Sequence, residues 1–96
     1  MAETEPAYSK SQYIMDNRIG TLAVYHMRPG GMELNHAHHG VELVYVLEGD
    51  CLTHKKGHLY MYKKGEVHEV MNNSQEELVF VCLSIPQDTL ANTVYV

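Results

Sequence analysis

Four side chains of the kinds that hold metal ions fall in two short stretches of this chain: His36, His38 and Glu42, then His68. His36 and His38 are two residues apart, so on a β-strand both imidazoles leave the same face. The turn-like pair His39-Gly40 lets the chain reverse, and Glu42 opens the next strand with a carboxylate able to return to the same place. Two neutral nitrogens and a carboxylate oxygen suit a first-row divalent ion. His68, within the stretch from Gly57 to Asn72, is the candidate for a further ligand. Such an ion can polarise a carbonyl or enolate oxygen, lower the pKa of bound water, or work beside dioxygen. Glu42 has a second role open to it, as a proton acceptor or relay.

Strands have to position these groups. Gly20 to Arg28 reads as a strand closed by Pro29-Gly30-Gly31, with a shorter one from Tyr13 to Met15 before it. Residues 42–48 are almost wholly apolar after Glu42, as expected when both faces are covered. If Glu42 points inward, Val44 and Val46 follow it and line a pocket, while Leu43, Tyr45 and Leu47 face outward. Those outer positions need a second sheet or another subunit, which makes a homodimer the expected assembly. Residues 52–57 and 58–63 read as two short strands about Gly57. Tyr60 and Tyr62 share a face there, either as pocket walls with polar handles or as ordinary strand filler. Residues 77–85 form the last core strand, ended by Pro86. One helical turn over 88–91 and an edge strand over 92–96 follow. No ten-residue amphipathic helix is evident, so the fold class is all-β, a small antiparallel barrel or jelly roll.

The remaining residues set bounds. Residues 1–11 are polar and read as a mobile tail, which leaves 12–96 as a single domain. His26 and Cys51 are further pocket candidates. His54 and His58 flank a Lys-Lys-Gly turn and read as solvated, and His39 has the wrong strand parity for the site. Cys51 and Cys82 lie in apolar or β-prone runs, which argues against a disulfide framework. A formal charge of −5 disfavours a nucleic-acid partner. Nothing reads as a membrane span or an apolar leader, so a cytoplasmic protein with a small-molecule substrate is expected. Gly-rich phosphate loops, serine nucleophile elbows and Cys-x-x-Cys zinc spacings are missing.

Taken together, the two stretches resemble the cupins. Gly30, His36, His38, Glu42 and Gly49 fall at the spacings of that family's first motif. Gly57, Gly65, His68 and Asn72 fit the second, with Lys63 where the family has proline. The resemblance implies one divalent ion (Fe, Mn, Ni, Cu or Zn) held by His36, His38, Glu42 and His68. It also implies an enzyme acting on a small oxygen-bearing molecule, since cupins with these ligands include dioxygenases, oxalate-degrading enzymes, isomerases, lyases and polyketide cyclases. A non-catalytic ligand-binding or sensor cupin is the alternative. Only Asp50 to Lys56 separate the motifs, less than cupins usually carry, so a shortened hairpin is expected. A rival alignment starts the second motif at Gly65. It puts Glu76 in place of the fourth ligand and cuts the run from His68 into the last core strand, so the first alignment is preferred.

Overall fold

The computed structural model describes residues 6–89 and 93–95. Eight strands follow one another: β1 (Tyr8–Asp16), β2 (Thr21–Met27), β3 (Met32–His38), β4 (Val41–Glu48), β5 (Leu59–Tyr62), β6 (His68–Met71), β7 (Leu78–Ile85) and β8 (Thr93–Tyr95). They form two antiparallel sheets, one in the order β1-β2-β7-β4-β5 and one in the order β6-β3-β8. The chain is all-β among the described residues, an antiparallel jelly-roll barrel as the strand pattern implies.

Strand alternation sorts the larger sheet into inward and outward rows. Ser84, Glu42 and Tyr62 are register partners across β7, β4 and β5, and Cys82, Val44 and Tyr60 form the next inward row. Between these rows lies an outward one, Leu22, Leu83, Leu43 and Met61, and beyond them another, Val24, Val81, Tyr45 and Leu59. Glu42, Val44 and Val46 are buried, whereas Tyr45 and Leu47 are exposed, so the inward parity expected for β4 is the one observed. The core is built around Met27, Val44, Val46, Cys51, Val70, Leu78 and Phe80.

Asn72 ties the end of β6 to the turn that precedes β3. It is fully buried, and its Nδ2 donates to the carbonyls of Met27, Arg28 and Glu76. The backbone completes the clasp, with Gly30 N–H donating to the Asn72 carbonyl and Asn72 N–H to that of Gly31. An interior side chain this polar stays buried only when its donors and acceptors are matched, and here they are.

Four expectations need correction. Residues 8–11 are not part of a mobile tail but the first half of β1; residues 1–5 lie outside the described ones. Residues 52–57 form no strand: only an isolated bridge between Asp50 and Lys55 precedes β5, so the connection is shortened as expected but irregular. His54 is not solvated, having about 1% of its surface exposed. The helical turn placed at 88–91 is absent at Asp88–Thr89 and otherwise lies outside the described residues.

Gly40 makes the β3–β4 reversal possible, and with it the return of Glu42 to the site. A Cβ there would collide with the Ile85 carbonyl oxygen and with Cδ of Pro86. Neither atom can retreat without distorting the end of β7. Gly40→Ala should therefore cost about 2–3 kcal/mol, at the upper end of ordinary overpacking, read as a lower denaturant midpoint at unchanged slope. An unchanged midpoint would show that the turn can move aside.

Candidate metal centre

Each sheet contributes to one cluster. Glu42 stands on β4 in the larger sheet, while His36 on β3 and His68 on β6 are register partners in the smaller one. All three are buried, and one nitrogen or oxygen from each lies within 4.8 Å of the others. The His36 and His68 ring centroids are 4.2 Å apart. His68 Nε2 is 2.7 Å from Glu42 Oε1, and Ser84 Oγ donates to Glu42 Oε2 at 3.2 Å.

The tautomer of His68 follows from its other nitrogen. Nδ1 lies 3.1 Å from the Glu66 carbonyl, which can only accept, so Nδ1 carries a hydrogen and Nε2 is the atom turned to Glu42. Metal-binding imidazoles are held in this way, one nitrogen tied to a carbonyl and the other presented. Burial works against charge on Glu42. The hydrogen bond and charge of His68, with help from His36 and Ser84, outweigh it and hold the carboxyl below its ordinary 4.5. Burial likewise opposes charge on His68, and the bond and charge of Glu42 prevail and raise it above 6.5. The two shifts have opposite signs, as expected of a buried ion pair.

His38 stands apart from this cluster. It is buried and shares a face with His36, but it lies outside the group whose ligand atoms converge. Its Nδ1 accepts the Gly40 N–H at 3.1 Å, so the ring hydrogen belongs on Nε2, a buried donor with no partner among the described residues. The structure thus brings together three of the four expected ligands.

Behind His68 lies an aromatic support. The Tyr62 ring stacks on it at 3.9 Å with an interplanar angle of 4°. Tyr62 Oη is in turn 2.7 Å from His54 Nε2, and His54 Nδ1 is 2.8 Å from Thr53 Oγ1. Burial, reinforced by the charge of His68, pushes His54 down to about 4. It sits neutral beneath the centre.

A cavity of about 210 Å³ opens beside the cluster, with His36 and Glu42 in its lining. Of the pocket candidates, Val44 lines it. Val46 and Cys51 belong to the core instead; Tyr60 packs against that core, and its hydroxyl accepts the Lys55 N–H. Tyr62 reaches the site through His68 and does not line the cavity. His26 is a correction. It has the outward parity of β2 and pairs with Glu77 at 3.0 Å, whereas its neighbour Tyr25 faces the cavity. The sequence reading missed Tyr8, Tyr13, Tyr25, Glu33, Phe80 and Cys82. The signal available was the parity of the last core strand, which turns Phe80, Cys82 and Ser84 to the same side.

A family model described as the cupin domain matches residues 23–84. This chain belongs to the cupins. Three solved structures agree in fold with this cupin. An uncharacterized conserved protein with a double-stranded β-helix domain from Klebsiella pneumoniae is 23% identical, over 99% of this chain and 87% of that one, at a TM-score of 0.75. A cupin domain from Bordetella pertussis is 22% identical, over 88% and 98%, at 0.66. A polyketide cyclase from Streptomyces resistomycificus is 18% identical, over 90% and 76%, at 0.65. At such identities the likeness is one of fold. No curated protein matches the chain.

The burial of neutral His54 makes stability depend on pH. Its value is about 4 in the fold against 6.5 ordinarily. Between those values the unfolded chain binds a proton that the folded chain does not, so stability falls as pH is lowered from about 6.5 toward 4. His54→Gln should flatten that fall, by up to about 1.4 kcal/mol per pH unit. Denaturant curves taken at intervals from pH 7 to 4.5 read it directly, and parallel profiles for the two proteins would refute the assignment.

Proposed function

We propose that this cupin is a metal-dependent enzyme acting on a small oxygen-bearing molecule, by chemistry of the dioxygenase, isomerase, lyase or cyclase kind. The observation that carries this reading is the convergence of His36, Glu42 and His68, all buried, beside a cavity. Their donor set, two imidazoles and a carboxylate, fits a first-row divalent ion. His38 belongs to the proposed set because its buried Nε2 lacks a partner among the described residues, although the Gly40 N–H at Nδ1 must be given up before Nε2 can ligate. The fold likeness to a polyketide cyclase agrees with this reading without selecting the reaction.

When bound, a divalent ion (Fe, Mn, Ni, Cu or Zn) supplies Lewis-acid or redox chemistry at this end of the cavity. The chain's own residues do the rest. Glu42 is held ionised by its neighbours and is placed to accept a proton from a molecule in the cavity. Ser84 Oγ fixes the orientation of that carboxylate through Oε2. The Glu66 carbonyl sets the tautomer of His68, and Tyr62 sets its ring plane. Val44 and Phe80 give the cavity apolar walls that limit water around the reacting groups.

The proposal extends to assembly. The two outward rows across β2, β7, β4 and β5 are wholly apolar apart from the Tyr45 hydroxyl, and Tyr45, Leu59 and Met61 are exposed. A second copy covering this face gives a homodimer with a self-complementary interface. Light scattering at micromolar concentration should return twice the 10.9 kDa chain mass; a clean monomer would count against the dimer.

Metal content tests the centre. Elemental analysis of protein made without a His-tag should find one ion per chain, and His36→Ala with His68→Ala should remove it. An undiminished content in that double variant would sink the reading. Turnover tests the enzyme. Glu42→Gln, reloaded with metal, should convert substrate at least ~10-fold more slowly while still binding it, because proton transfer by a placed group typically contributes more than that. Tight binding of candidate compounds with no conversion by the unaltered protein would return the sensor reading.

A further inference from the structure

The cavity beside the metal centre has a chemical character of its own. Its walls are aromatic: Tyr8 and Tyr25 have centroids 5.0 Å apart, Phe80 lies 5.6 Å from Tyr25, and Tyr13 meets Tyr25 edge-on at 6.1 Å. Away from Glu42, it carries two more carboxylates, Glu33 and Asp88. Glu33 accepts the Tyr8 hydroxyl through Oε2 at 2.9 Å, and Asp88 accepts from Thr93 through Oδ1. An ionised carboxylate accepts more than one hydrogen bond, so each can also meet a donor on a ligand.

The lysines and arginines are all elsewhere. The chain has seven lysines and arginines, Lys10, Arg18, Arg28, Lys55, Lys56, Lys63 and Lys64, and none of them lines the cavity. The residues outside the described set contain no lysine or arginine either. An anionic arm lying against Glu33 or Asp88 would therefore face carboxylates with no lysine or arginine beside it, an arrangement that Coulomb repulsion and lost hydration both penalise; only the proposed ion beside Glu42 could pair with it. A cationic arm meets the reverse. Carboxylates attract it, and the π faces of tyrosine and phenylalanine attract it as well. Those same faces stack on a planar ring. A volume of about 210 Å³ lies below the range usual for drug-sized ligands and admits one ring with a short arm.

We infer that this cavity selects a small aromatic amine and rejects ring-matched carboxylates. The inference rests on the proposed reading of the same site for what is done to the molecule, but the selection itself belongs to the aromatic walls and to Glu33 and Asp88.

Three probes of one ring size decide it: benzylamine, benzyl alcohol and benzoate, each titrated into the full chain as purified and followed by amide NMR shifts, with metal content measured on the same samples. Benzylamine should bind at least ~10-fold more tightly than benzoate, with benzyl alcohol between, a difference of about 1.4 kcal/mol. Glu33→Gln, which leaves the Tyr8 hydroxyl an acceptor, should reduce that preference to roughly threefold or less, and Asp88→Asn should reduce it independently. Benzoate binding as tightly as benzylamine overturns the inference, as does a preference untouched by both substitutions or no binding of benzylamine at all. One ion per chain without the preference leaves the metal centre standing and removes only the selection. The preference without any ion does the opposite.

Discussion

A carboxylate cannot sit ionised between two β-sheets unless something compensates it, because the cost of removing its hydration exceeds what most single contacts return. The contact between Glu42 and His68 is that compensation, and it joins the two sheets, since β4 belongs to one and β6 to the other. Glu42 reaches it only because Gly40 lets the chain turn hard against the end of β7. His68 reaches it only because the Asn72 clasp fixes β6 against the turn that launches β3. A buried proton shared by such a pair marks a place that a divalent cation can take over, with the same three residues providing the negative and neutral donors.

Much of this was legible in the chain. The strand parity of residues 42–48 was readable because one face of β4 is core and the other is the outer face of the sheet, so a single inward residue fixes the rest. The spacing of His36, Glu42 and His68 around paired glycines carried the family, and the glycines have the physical role expected of them at the turns. What could not be read was the first half of β1. Tyr8–Asp16 is an edge strand exposed along nearly its whole length, so it has no buried stripe to alternate with, and Ser9, Lys10 and Ser11 look like tail. His54 was hidden for a related reason. Its Lys-Lys-Gly neighbourhood is a surface signal, while the irregular turn that folds it under Tyr62 depends on contacts with Cys51 and Thr53 that no local pattern encodes.

The site also shows a division of labour between sheets. Both histidines of the cluster come from the smaller sheet, where the seven-residue β3 pairs with the four-residue β6 and the three-residue β8. The carboxylate and its supports, Ser84 and Tyr62, come from the larger sheet, in one row across three paired strands. The row holds the charge still, and the stacked Tyr62 ring carries that rigidity across to His68. A centre built this way draws its order from packing and hydrogen bonding, with no disulfide: both cysteines are free and buried.

The placement of β1 has a kinetic meaning. It is bonded to β2 on one side and to nothing on the other within its sheet, and it supplies Tyr8 and Tyr13 to the cavity wall. Segments open independently when few buried contacts hold them, and an edge strand with exposed faces is at the low end of that scale. Peeling β1 away breaks one ladder and leaves β7, β4 and β6 in place. The cavity wall that β1 supplies and the His36–Glu42–His68 cluster beside it thus sit on different rungs of local stability, and opening of one need not disturb the other.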